Sequence, residues 1–440
     1  MTVFNGERLP VEIFQLDKER MVKGWYSDVY FRNISRILEK LSQEGYKFKG
    51  EDIGNIEVEM QIFTRRKPYS IIGGIDEALA ILKECTGYFD DDGNFINTFD
   101  QLEVEACHDG VKAYYYGDPM NVEPVMKIRG RYRDFAILET PILGSLTEAS
   151  RIATNVYQVL EAARGKDILF FPARFAHYKL QALHGYAYTL GVSAYNKDYG
   201  ASSNRYVSTD EQGSWWGGKG GGTISHSYIA TFFGNTAEAT IQFCRHMPLN
   251  VNRIALVDFD NDCIGTSLKV LKTMFEKYLA LFKKGEVKEA KRYKLFGVRP
   301  DTSSSLRDIS VEPLGDKRLD NGVNARLIYR LRKALDNAYL DWNLPEEDIE
   351  LARSYCQDVK IIATGGFNPD KIRDFERSKV PVDIYGVGSW LLSNSSVEGT
   401  NNDFTADVVK VKKDGEWINM AKVGRRACNN DKLLPIPADY

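Results

Sequence analysis

Hydrophobic positions along the first 140 residues recur with two periods. Phe31 to Leu41 sets Ile34, Ile37, Leu38 and Leu41 at helical spacing, and Gly74 to Lys83 reads as a second helix. Between them, Ile56-Glu-Val-Glu-Met-Gln-Ile62 alternates as a half-buried strand does, and Val122 to Arg129 alternates again. This mixture predicts an N-terminal α+β domain over residues 1–140.

From residue 141 the rhythm changes. Ile142 to Val159 reads as a long helix. Short, nearly continuous apolar runs follow, each ending at a polar or glycine-rich turn: Ile168–Phe171, Ile254–Val257, Leu295–Val298, Ile361–Ala363 and Val382–Tyr385. Helical patterns separate some of them, such as Ser267 to Phe282 and Ala325 to Leu340. Buried parallel strands read this way, and their alternation with helices predicts an irregular α/β barrel over residues 141–400. Residues 196–206, 213–222 and 301–310 read as irregular. The tail, 401–440, carries strand-like Val408–Val411, a turn at Asp414-Gly415 and Ile418–Val423. It reads as a small β element packed on the first domain.

Composition narrows the class. The chain has 440 residues, 43% hydrophobic and 27% charged, with a formal net charge of −3. A chain this long buries roughly three quarters of its unfolded surface and needs no disulfide or metal staple. The charge gives no basic footprint for nucleic acid. No run of about 18 apolar residues spans a membrane, and the N-terminus lacks the pattern of a secretory signal. Six cysteines stand far apart with no Cys-x-x-Cys pair, which argues against a zinc site and fits reduced thiols in a cytoplasmic protein. No metal ligand set is predicted.

In an α/β barrel the reacting groups stand just past the C-terminal ends of the strands, where Arg174, Asp258, Arg299, Gly365 and Gly386 fall. In Leu169-Phe-Phe-Pro-Ala-Arg174, Phe171 and Arg174 suit an aromatic carboxylate, one by stacking and one by charge. A core Phe and a surface Arg are the plainer alternative. Leu256-Val-Asp-Phe-Asp-Asn-Asp262 offers carboxylates for magnesium on a phosphorylated substrate, or simply a solvated acidic turn. Gly297-Val-Arg-Pro-Asp-Thr-Ser303 sets Arg299, which can take pyrophosphate bidentately, two residues before Asp301, which can accept from ribose hydroxyls. Ala363-Thr-Gly-Gly-Phe367 and Tyr385-Gly-Val-Gly-Ser389 are glycine turns on successive strands, and the last two such loops of a barrel often bind phosphate.

Ser208 to His226 is the most unusual segment. Gly213 to Lys219 nearly spells a P-loop, but Gly220 stands where Ser or Thr is needed and more glycines follow instead of a helix, so a P-loop is rejected. The glycine run lets backbone amides approach phosphate closely, and His226 then opens an apolar helical stretch, where a histidine can be a nucleophile toward ATP. A surface loop beside a core histidine is the other reading. Lys23-Gly-Trp-Tyr-Ser-Asp-Val-Tyr-Phe31 alone reads as a helix start, with Ser27 as cap, Asp28 in the first turn and aromatics in the core.

Taken in order, these pieces resemble the nicotinate phosphoribosyltransferase family of type II phosphoribosyltransferases. They are Ser27–Phe31, Glu139-Thr-Pro-Ile-Leu-Gly144, Phe171-Pro-Ala-Arg174, Val207–Gly217, Gly222-Thr-Ile-Ser-His226, Arg299-Pro-Asp-Thr302, Gly365-Gly366 and Asp383–Gly388. The resemblance implies a homodimer with shared active sites and a reaction of nicotinate with phosphoribosyl pyrophosphate, yielding nicotinate mononucleotide and pyrophosphate with Mg2+ and ATP as co-substrate. Tyr30 would stack on nicotinate from the neighbouring subunit and Phe171 on its other face. Arg174 and Arg299 would hold anionic groups, Asp301 the ribose, Gly365, Gly366, Gly386 and Gly388 the 5-phosphate, and His226 would accept phosphate from ATP. Pro172 and Ser303 depart from the glycines usual in the family. A nicotinamide-using relative, a quinolinate enzyme, a non-catalytic metabolite-binding protein on the same fold, and a barrel hydrolase using Asp258 and Asp260 are the competing readings.

Overall fold

The structure, a computed structural model, describes residues 7–438 and residue 440. The reading of the N-terminus as no secretory signal falls mostly on residues 1–6, which lie outside the described residues. The chain forms two compact units. The first runs to Tyr157 and adds Tyr186–Tyr199 and Leu392–Tyr440; the second comprises Gln158–Gly185 and Gly200–Leu391. The divisions therefore fall at other places than the 140 and 400 read from sequence rhythm. Among the described residues no helix is long and apolar enough to cross a membrane.

A six-stranded antiparallel sheet organises the first unit. Its strands run in the order Glu416–Asn419, Phe404–Lys413, Glu57–Thr64, Met126–Arg131, Glu103–Ala106 and Leu434–Ile436. Met60 pairs with Val408 on one side and Ile128 on the other. The C-terminal tail thus supplies three strands to this sheet. Helix Ile75–Cys85 packs Ile75, Leu79 and Leu82 into one core with Met60, Ile62, Ile128 and Leu146.

Strand 57–64 does not behave as its alternation predicts. Glu59 and Gln61, expected to face water, are fully buried. Arg129 Nε and Lys410 Nζ donate to Glu59 Oε2 at 2.7 and 3.1 Å. Gln61 donates to the Arg426 carbonyl at 2.9 Å and accepts from the Cys428 N–H at 3.0 Å. Buried polar groups require such partners, and here sequence-distant strands bring them. Helix Gln181–Tyr199 is absent from the sequence reading because Ala187, Tyr188, Thr189, Leu190 and Val192 are all buried, leaving no polar face to mark its period.

The second unit is built on six parallel strands: β1 (Ile168–Phe170), β2 (Arg205–Val207), β3 (Ile254–Leu256), β4 (Gly297–Arg299), β5 (Lys360–Ala363) and β6 (Ile384–Val387). They pair in the order β2-β1-β6-β5-β4-β3, a parallel half-barrel sheet. Helices Cys263–Lys283, Ala325–Asn337 and Pro369–Arg377 begin at side-chain caps: Asp262, Asn324 and Asn368 accept from the N–H groups of Gly265, Leu327 and Lys371. Ile254, Ile362 and Ile384 form a cluster on the sheet with Leu169 and Phe296.

Three expectations shift. β2 lies where 196–206 reads as irregular. The apolar runs at 295–298 and 382–385 begin two residues before their strands, because Leu295 and Val382 are already buried on the approach. Arg299 is therefore the last residue of β4, and Gly386 lies inside β6 instead of in a turn after it.

Candidate active site

Parallel pairing brings the strand ends level: Phe170 with Val207 and Val387, Leu256 with Arg299, and Ala363 with Tyr385. The residues that follow converge at one end of the sheet, the end where such sheets carry ligands. A cavity of about 480 Å3 opens there. Phe171, Arg174, Phe175, Ser208, the stretch Gly221–His226, Arg299, Asp301, the stretch Thr364–Phe367, Gly386, Gly388 and Ser389 are among its lining residues. All the predicted site residues except Tyr30 and Asp258 line it.

Arg299 stands at the centre of the charge distribution. Its Nη2 donates to the Ile224 carbonyl at 3.4 Å, and its buried Nε has no hydrogen-bond partner among the described residues. The guanidinium lies 6.0 Å from the centroid of the Phe171 ring. Burial lowers its pKa, partly opposed by the charges of Asp301 and Asp258, while Arg174 adds to the lowering. An arginine keeps its charge through such a shift. A buried, under-bonded guanidinium beside an aromatic face and a second arginine has the chemistry to take an anion with a flat ring.

Asp301 follows β4 and accepts from Thr364 Oγ1 at 2.7 Å, while the Thr364 hydroxyl is also 3.2 Å from the Pro300 carbonyl. The loops after β4 and β5 are thereby locked together, with Asp301 Oδ2 left for a hydroxyl donor. Thr364 has no role legible from sequence; its signal is only its place at the end of an apolar run, before the glycine turn.

His226 opens the short helix His226–Thr231 after Ser225, whose hydroxyl accepts from the Tyr228 N–H. The imidazole is half exposed, and its Nε2 lies 3.0 Å from Asp258 Oδ1. Burial pushes the Asp258 carboxyl up, the hydrogen bond and charge of His226 pull it down, and Asp301 adds to the rise. The three acids after β3 therefore divide. Asp258 orients a histidine, Asp260 is exposed and Asp262 caps a helix. Among the described residues no group of three His, Cys, Asp or Glu side chains could hold a metal ion, so a cation here would need oxygens from a bound substrate.

The two glycine turns differ. Gly365 and Gly366 hold φ at 96° and 68°, a left-handed backbone that glycine adopts without steric cost. At Gly386 a Cβ would stand 2.4 Å from Thr364 Cγ2 and 3.2 Å from the Phe171 ring. That glycine leaves room for the cavity floor to pack, so its lack of a side chain is accounted for by packing. In the glycine-rich stretch, Asp210 accepts from the Gly220 N–H at 2.9 Å and the Val207 carbonyl from Gly221 at 2.8 Å, which folds residues 221–226 over β2 toward the cavity.

Tyr30 belongs to the first unit, in helix Val29–Gln43. It is 55% exposed, which removes the core-packing alternative, and its ring lies 4.3 Å from that of buried Phe31. Asp28, not Ser27, occupies the N-cap, and its carboxylate accepts from Thr140 instead of capping the helix. All six cysteines are free and buried.

Residues 28–150 match the N-terminal domain of quinolinate phosphoribosyl transferase. Among solved structures, the nicotinate-nucleotide pyrophosphorylase of Pyrococcus furiosus is similar over 97% of this chain and 86% of its own, with 24% identity and a TM-score of 0.61. Human nicotinic acid phosphoribosyltransferase is similar over 88% of this chain and 74% of its own, with 14% identity and a TM-score of 0.54. The chain thus carries an N-terminal segment that matches this domain family and shares the fold of these two structures.

Proposed function

We propose that this protein is a nicotinate phosphoribosyltransferase acting in NAD metabolism. The observation that carries the reading is the pairing of Phe171 with the under-bonded Arg299 in a cavity that also holds Arg174, Asp301 and the Gly365–Gly366 turn. The ring of nicotinate stacks on Phe171 with its carboxylate toward a guanidinium. Asp301 holds the ribose hydroxyls and the glycine turn holds the 5-phosphate. The pyridine nitrogen bonds to C1 of the ribose as the C1–O bond breaks and pyrophosphate leaves with its electron pair. The protein's part is to align the two and to stabilise the leaving charge with arginine. Mg2+ would ride on the pyrophosphate, bound by Asp258 or Asp301 together with substrate oxygens.

ATP coupling is part of the proposal. With Nε2–H donating to Asp258, the tautomer leaves Nδ1 of His226 with its lone pair, free to take the terminal phosphoryl group of ATP as the bond to ADP breaks. The protein acts as a homodimer, with Tyr30 of each subunit reaching its neighbour's base. The exposed Trp25, Val29, Tyr30 and Ile37 are an apolar surface suited to that contact.

The family match to quinolinate enzymes supports a second reading, with quinolinate as the base. Two arginines line the cavity, few for a dicarboxylate and the phosphates together. Nicotinamide would call for a carboxylate near Phe171, and among the described lining residues the one carboxylate, Asp301, is taken by Thr364 and, in this reading, by the ribose hydroxyls. Steady-state assay with nicotinate, nicotinamide and quinolinate, each with phosphoribosyl pyrophosphate and Mg2+, tests the choice. Turnover of nicotinate, raised by ATP, is expected; turnover of quinolinate or nicotinamide alone, or of none, overturns it.

A further inference from the structure

Behind the Gly365–Gly366 turn sits a lysine that the functional reading does not use. Lys371 Nζ donates to the Gly365 carbonyl at 3.2 Å and lies 4.2 Å from the centroid of the Phe367 ring and 5.9 Å from that of Phe375. It is partly buried, and burial pushes its ammonium down to about 8. Among the described residues no carboxylate pairs with it. It stands on the helix Pro369–Arg377, which the sequence pattern did not reveal, and nothing in the sequence marks it out.

The peptide plane gives this contact a consequence. In a trans peptide the C=O and the following N–H point in opposite directions. Lys371 draws the Gly365 carbonyl to itself and does not line the cavity, whereas Gly365, Gly366 and Phe367 do. The Gly366 N–H therefore points away from the lysine, in a residue that lines the cavity. Within the described residues, the N–H groups of Gly365, Gly366 and Phe367 have no protein acceptor. Successive unpaired N–H groups in a turn form an anion-binding concavity.

The geometry points to Lys371 as the positioning residue of a phosphate subsite: it fixes the Gly365–Gly366 peptide so that the turn presents its N–H groups to a phosphate monoester. This rests on the phosphoribosyl reading above and adds the residue that aims the turn. A partly buried ammonium without a carboxylate partner costs stability, and a phosphate dianion held by the turn supplies negative charge on that side of the peptide.

Calorimetric titration with ribose 5-phosphate, and separately with nicotinate, tests this on the wild type, Lys371→Met and Lys371→Arg. Lys371→Met is expected to weaken ribose 5-phosphate about tenfold, the worth of one charge-assisted hydrogen bond, to leave nicotinate unchanged and to keep or raise the melting temperature at pH 7. Lys371→Arg is expected to recover part of the loss. If Lys371→Met binds ribose 5-phosphate as the wild type does, the positioning role is wrong while the phosphoribosyl reading stands. If it loses stability and weakens both ligands alike, and Lys371→Arg does the same, the lysine is a packing residue only. A wild type that takes nicotinate but no ribose 5-phosphate overturns both the subsite and the reading beneath it.

Discussion

Asp258 Oδ1 lies 3.0 Å from Nε2 of His226, so an acid at the end of one strand sets the tautomer and direction of an imidazole that begins a separate helix. If His226 is the phosphoryl acceptor, incubation with γ-labelled ATP gives acid-labile label. His226→Ala is expected to lose that label and the ATP stimulation while keeping slow phosphoribosyl transfer. Asp258→Asn keeps the shape but not the charge, and labelling should slow by about ten- to a hundredfold, the worth of a hydrogen bond to a charged group. Undiminished label in His226→Ala would remove the assignment.

Gly386 and Gly388 make a paired test of packing. A Cβ at 386 meets Thr364 Cγ2 at 2.4 Å inside a strand, whereas at 388 the nearest atom is Phe175 Cε2 at 2.9 Å. Phe175 is 49% exposed and its ring can swing away. Gly386→Ala is expected to cost about 1–3 kcal/mol in urea unfolding, the usual cost of overpacking, and Gly388→Ala well under 1 kcal/mol. Equal costs would mean that the cavity floor is not packed as described.

The fully buried Glu59 carboxylate ties strand 57–64 to Arg129 and Lys410. Burial alone would raise its pKa, but the two cationic partners outweigh burial and hold it below the usual value. The linkage follows in sign. The folded protein binds the proton less readily than the unfolded chain, so the stabilisation is complete above the unfolded value of about 4.3 and is lost as pH falls through the depressed folded value. Glu59→Gln is expected to lower stability at pH 7 by about 1–3 kcal/mol, since the partly exposed Arg129 and Lys410 lose a charged hydrogen-bond partner, and to flatten the fall in stability below pH 5. Chemical denaturation at pH 7 and pH 4 measures both. An unchanged acid limb in the variant would mean another group governs it.

Tyr30 tests the shared site. Tyr30→Ala is expected to raise the KM for nicotinate by about fivefold, with a smaller effect on phosphoribosyl pyrophosphate, since ring stacking is worth on the order of 1 kcal/mol. An exposed residue should leave the melting temperature nearly unchanged. Mixed with inactive Arg299→Ala under subunit exchange, it should regain part of the activity, because a heterodimer holds one site with both residues intact. No recovery despite proven exchange would place Tyr30 outside the neighbour's site.

Much of this was legible in the sequence. The short apolar runs ending at Arg174, Asp258, Arg299 and Gly365 marked parallel strands and placed these residues at one end of a sheet. This is so because a strand buried on both faces must be apolar throughout, and a turn past its end is where polar groups can stand. What the chain could not state was pairing. That Thr364 bonds Asp301, that Asp258 serves His226 and that Glu59 faces Arg129 and Lys410 are relations between residues 32 to 351 positions apart. Helix 181–199 was invisible because it is buried along most of its length, and Lys371 because one charge among many in a polar stretch carries no local signal. Local pattern records how each residue divides between apolar and polar surroundings. Which polar group meets which, and which stays unpaired for a ligand, is set only when the strands take their order in the sheet.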